Sequence, residues 1–157
     1  MLIQFIDHLT FENIYLWTNF GLIPFWLMLI IIPNSKFTQF FINSVILPLI
    51  LSLTYVYVIY QAILLDEALF NIFKLYLSLD NLYTVFATES FLLVFWLHFL
   101  ALNLFLGSWI SRDGVKYNMP RSLVLFPLIF VYFTGPLGLV LYWVIRVFYA
   151  KKLGFHD

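Results

Sequence analysis

Cysteine is absent from the 157 residues, which removes disulfides, thiolate metal sites, iron–sulfur clusters and thiol nucleophiles together. Charge is nearly as scarce. The 8 basic and 8 acidic side chains make up 10% of the chain and cancel to a formal net charge of zero, a balance that argues against nucleic acid as a partner. The three histidines, His8, His98 and His156, have no metal-ligand spacing. No metal site is therefore expected, and di-iron hydroxylase or desaturase chemistry is set aside. There is no GxSxG, no phosphate-cradling glycine loop and no CxxC. The apolar runs also lack the repeated charges of an ion pump. The opening MLIQFIDHLTFEN has no basic region ahead of an apolar core and no small-residue cleavage site, so no cleaved signal peptide is expected.

What the chain has instead is hydrocarbon. Hydrophobic residues make up 64% of it, too many for the remaining polar side chains to cover a soluble globule, and the chain reads as an integral membrane protein with the lipid bilayer as its first partner. A crossing helix needs about 20 mostly apolar residues, and four stretches qualify: 14–32, 45–65, 90–110 and 123–145. They lack the alternating polarity of barrel strands, and lone strands would leave backbone groups unsatisfied in lipid. The expected fold is therefore all-α, an integral membrane bundle of four transmembrane helices forming a single domain over 1–157. Two short interfacial helices are expected beside it. One is at 1–9. The other is at 68–79, where Asn71, Lys74 and Ser78 make one polar stripe, although an ordered loop would show the same pattern. With four spans, Lys36, Arg112, Lys116 and Arg121 fall on one side of the membrane and Lys74, Arg146, Lys151 and Lys152 on the other. Both termini then share a side, and the positive-inside count is tied.

Within the apolar runs a few residues stand out. NFGLIPFW in the first run and FTGPLGLVLY in the fourth interrupt regular helix with proline and glycine. Such paired breaks mark internal sites in some transporters, and equally permit close helix approach or a kink. His98 lies near the middle of the third run, where a titratable group is costly. It is either functional or a neutral imidazole bonded to a backbone carbonyl or a nearby hydroxyl. Asn103, five residues on, points about 140° away around the helix. Arg112 and Asp113 end the run as headgroup-level anchors or as a cation and carboxylate available for chemistry. The 22% aromatic content suits interfacial belts and rigid polyene ligands alike.

The run WLHFLALNLFLGSWISRDG at 96–114, followed by MPRS at 119–122 and FTGPLGLVLY at 133–142, resembles the membrane family of the abscisic-acid-deficient plant protein required for neoxanthin formation. The early Asn19 to Trp26 segment and Pro33 match that pattern too. The resemblance implies carotenoid, specifically xanthophyll, metabolism, with isomerisation of an epoxide to an allene as the family's activity and no cofactor required. It makes His98 the base candidate, and Asp113 and Arg112 the groups that polarise or position an oxygenated ring. It also makes Asn19, Trp26, Trp96, Asn103, Trp109 and Pro136 ligand-binding candidates. Two positions depart from the family pattern, Asn103 for an aspartate and Ser108 for an arginine. The competing reading is a non-catalytic pigment-binding subunit or assembly factor of a photosynthetic membrane complex, alone or as a homo-oligomer. A small-solute transporter is a third. The expected location is a thylakoid or other plastid membrane, or a bacterial inner membrane.

Overall fold

The computed structural model describes residues 9–44, 46–65, 73–151 and 154. Among them the regular structure is helical throughout, with no strand. The helices are α1 (Phe11–Ile31), α2 (Lys36–Phe41), α3 (Ile46–Leu65), α4 (Leu79–Phe86), α5 (Glu89–Lys116), α6 (Arg121–Thr134) and α7 (Pro136–Ala150). The all-α expectation holds. Three stretches, Phe11–Ile31, Lys36–Leu64 and Glu89–Lys116, are long and apolar enough to cross a membrane. The interfacial helix expected at 1–9 lies outside the described residues except for Leu9, as does most of the one expected at 68–79. Where the description resumes, residues 73–76 make a 3₁₀ turn. Ser78 then caps α4, its Oγ accepting from the Asn81 N–H at 3.2 Å.

The fourth apolar run departs from expectation. In place of one span over 123–145 there are two helices of 14 and 15 residues meeting at Gly135. A Cβ at Gly138 would strike the Val131 side chain and backbone nitrogen and come within 2.6 Å of the Pro127 carbonyl oxygen. In one continuous helix, residues 7 and 11 positions apart stand roughly 10 and 16 Å apart. The chain therefore reverses, and α7 lies back along α6. The cause is local. Gly135 has φ +61, a left-handed conformation that a Cβ resists, and Pro136 at the first helical position starts a new helix with its φ already set.

Contacts gather into two compact units, one of residues 1–22 and 50–99 and the other of residues 23–49 and 100–157. The first packs Ile14 and Val58 against Leu93, Val94 and Leu97, residues whose spacing keeps them on one face of α5. In the second, α5 turns a different set inward. Leu100, Asn103, Leu104, Gly107, Ser108, Ser111 and Gly114 are all buried there. Small residues on such a face let neighbouring helices approach closely, which is how helices associate where lipid removes the hydrophobic drive.

Candidate functional site

The second unit holds three hollows whose linings differ in character. Ile23, Trp26, Leu27 and Ile30 of α1 and Ile129, Tyr132 and Phe133 of α6 line an open hollow of about 260 Å³. Trp26 meets the Tyr132 ring edge-on, with centroids 5.4 Å apart. Gly107 makes room for Trp26, since a Cβ there would sit 2.6 Å from the indole Cη2. Ile30 also borders the next hollow, about 240 Å³, where Leu29, Leu125 and Leu128 give way to Pro33, Asn34, Ser111, Asn118 and Arg121. The Arg121 Nη1 lies 3.5 Å from the Ile31 carbonyl oxygen, at the end of α1. A third hollow, about 310 Å³, shares Pro33, Asn34, Ser111 and Val115 and adds Gln39, Asn43 and Arg112. Asn43 accepts the Ser108 hydroxyl at 2.8 Å. The lining thus passes from aromatic hydrocarbon to amides and guanidinium, a surface suited to a long apolar molecule with an oxygenated end.

On its other face, α5 is tied to α7. The Asp113 Oδ2 accepts the Tyr142 hydroxyl at 2.6 Å and the Arg146 Nε at 2.7 Å. Arg146 is 1% exposed and Asp113 9%. The other two guanidinium nitrogens are also engaged: Nη1 donates to the Gly154 carbonyl at 2.6 Å, and Nη2 to the Tyr117 hydroxyl at 3.3 Å. The guanidinium carbon also lies 5.0 Å from the Tyr117 ring centroid. A buried ion pair is tolerable when its charges are matched and its donors occupied, and here every guanidinium nitrogen has an acceptor.

The residues singled out in the sequence separate accordingly. Asp113 faces Arg146 and Tyr142, and Trp109 joins them edge-on to Tyr142 at 5.5 Å. Its neighbour Arg112 is exposed and lines the third hollow. Trp26 floors the aromatic groove. Asn103 is 6% exposed, its Oδ1 lies against Gly135 where α6 ends, and its Nδ2 has no hydrogen-bond partner; Pro136 follows immediately. Asn19 and Trp96 meet in the first unit, the indole Nε1 donating to the Asn19 Oδ1 at 3.1 Å. His98 is in that unit too, on an exposed face of α5 with its ring 6.2 Å from that of Tyr55. Among the described residues no group of His, Cys, Asp and Glu is arranged to hold a metal.

Sequence reasoning missed the roles of Tyr142 and Arg146 as partners of Asp113, a contact that brings the end of α7 to the end of α5. Gly135–Pro136 at the midpoint of the run, leaving two halves each shorter than a span, was the available signal. Asn34, Ser111 and Arg121 were also missed, because nothing in their spacing shows that they share a cleft.

No curated protein and no solved structure matches the chain. The family model described as ABA DEFICIENT 4-like matches residues 13–142, a stretch that contains the aromatic groove, both polar hollows, Asp113 and Tyr142. The chain belongs to the ABA DEFICIENT 4-like family.

Proposed function

We propose that the protein acts in xanthophyll metabolism by taking one oxygenated end of a carotenoid into the cleft around Asn34, Ser111, Asn118 and Arg121, with the polyene lying along the Trp26–Tyr132 groove. The observation that carries this reading is that Ile30 lines both hollows. The reaction that suits the family is isomerisation of an epoxide to an allenic alcohol. A proton leaves a polyene carbon, the epoxide carbon–oxygen bond opens, and the oxygen gains a proton, so no redox cofactor enters. Arg121, Asn34 and Asn118 are the donors placed to hold that oxygen. The resemblance makes His98 the base candidate and Arg112 and Asp113 positioning candidates; His98 lies in the first unit, Arg112 lines the adjoining hollow and Asp113 is held by Arg146 and Tyr142, so none of the three lines this cleft. A second reading, a pigment-binding subunit or assembly factor without chemistry, is favoured by one feature: the described lining of both polar hollows contains amides, a hydroxyl and guanidinium groups but no carboxylate or imidazole. Such a lining holds an oxygen without removing a carbon-bound proton. Expression in a violaxanthin-accumulating host separates the two. The wild type converts the epoxide to its allenic isomer, and Ile30→Trp, which blocks the junction of the hollows, does not. An unchanged pigment profile with the wild type removes the isomerase reading. Undiminished product from His98→Ala removes His98 as base.

The same reading includes a membrane arrangement of three crossing stretches and a re-entrant hairpin. At about 1.5 Å per residue each arm of α6 and α7 reaches roughly 21 Å, short of the ~30 Å hydrocarbon core. The apex at Gly135 packs on Asn103, which is ten residues, or about 15 Å, along α5 from Asp113. Irregular backbone at that depth is tolerated where protein covers it, and here the Asn103 side chain covers the break at Gly135. α7 then ends on the face where α6 began. Lys36, Arg112, Lys116, Arg121, Arg146 and Lys151 gather there, leaving Lys74 on the opposite face, and the tied charge count becomes strongly positive-inside.

A further inference from the structure

A neutral xanthophyll ring accounts for the cleft beside Arg121 but not for the adjoining hollow of about 310 Å³ beside Arg112. Its lining of Asn34, Gln39, Asn43, Ser111 and Arg112 offers donors and one full positive charge and contains no carboxylate. Arg112 is exposed and forms no ion pair among the described residues. Among the described residues of this unit the one acidic residue is Asp113, and Arg146 and Tyr142 already occupy it. Lys36 and Arg121 stand exposed on the same end of this unit. The Asn43 carbonyl oxygen takes the Ser108 hydroxyl, which leaves its amide nitrogen as a donor. Next to the hollow, α2 presents Phe37 and Phe40, 52% and 59% exposed. Both rings pack on Phe41, forming an exposed aromatic edge at the start of the crossing stretch Lys36–Leu64, where acyl chains lie.

We propose that this hollow binds the headgroup of an anionic membrane lipid, its phosphate or sulfonate oxygens held by Arg112 and the amides of Gln39 and Asn43, with its acyl chains against the α2 phenylalanines. The aromatic edge is what selects a lipid over a free anion. The site rests on the membrane placement given above but not on pigment binding, so the two fail separately.

The test uses full-length protein in nanodiscs of phosphatidylcholine with a minor share of phosphatidylglycerol, and reads retained lipid by native mass spectrometry and carotenoid by extraction. The wild type retains phosphatidylglycerol over phosphatidylcholine by about tenfold, the scale of one or two charge-assisted hydrogen bonds. Arg112→Gln loses that preference, Arg112→Lys keeps part of it, and Lys74→Gln leaves it unchanged. Ile30→Trp loses pigment and keeps the lipid. Equal retention of the two lipids by the wild type, an undiminished preference in Arg112→Gln, or equal binding of soluble glycerol phosphate each overturns the proposal.

Discussion

Replacing Arg146 with methionine should cost about 3–5 kcal/mol of stability, because it leaves the Asp113 carboxylate buried with no opposite charge. The size follows from the geometry. Arg146 is 1% exposed and uses all three nitrogens, on the Asp113 Oδ2 at 2.7 Å, the Gly154 carbonyl and the Tyr117 hydroxyl. Asp113→Asn should be damaging for the converse reason, since it leaves a buried guanidinium facing an amide. The double variant removes both charges and should be less destabilised than the sum of the singles, with a coupling of roughly 2 kcal/mol. Tyr142→Phe removes one hydrogen bond to the same oxygen and should cost about 1 kcal/mol. Unfolding in mixed detergent micelles measures all four. Additivity of the two single changes within about 0.5 kcal/mol would mean that the pair is not formed.

The second large effect is qualitative. Because the chain has no cysteine, single cysteines can be introduced and probed in sealed vesicles with a membrane-impermeant thiol reagent. Cysteines at Lys116 and Gly154 should label from one side, and those at Glu12 and Asp80 from the other. Lys116 ends α5, and Gly154 lies just beyond α7, where its carbonyl accepts from Arg146. Glu12 and Asp80 sit in the first turns of α1 and α4. A fourth crossing would instead put Gly154 on the side of Glu12. That outcome would mean that the α6–α7 hairpin opens into a span in the membrane, and would separate Arg146 from Asp113.

Hydropathy identifies residues that belong in lipid, so α1, α3 and α5 were legible as long apolar helices. It carries no direction, so one long helix and a helical hairpin of the same length read alike. What distinguishes them is the positive φ at Gly135 and the approach of Gly138 to the α6 backbone, neither of which leaves a periodic trace. Helical spacing separated His98 from Asn103, and the structure keeps them apart, with Asn103 buried and His98 exposed. Spacing could not disclose the partner of Asp113. The adjacent Arg112 is its neighbour in sequence, yet one step along a helix is about 100° of rotation, enough to send Arg112 outward while Asp113 meets Arg146. The aromatic groove was legible only as composition. That Trp26 and Tyr132 form its walls depends on the chain returning to α1 through α6.

The most direct test of xanthophyll handling is pigment extraction from the protein purified out of violaxanthin-accumulating membranes, comparing the wild type with Ile30→Trp. The wild type should carry close to one xanthophyll per chain and the variant, equally folded, should be nearly pigment-free. A monodisperse wild-type protein without carotenoid, or a variant that retains as much pigment as the wild type, would contradict the assignment of the Trp26–Tyr132 groove and the cleft at Asn34 and Arg121 as its binding site.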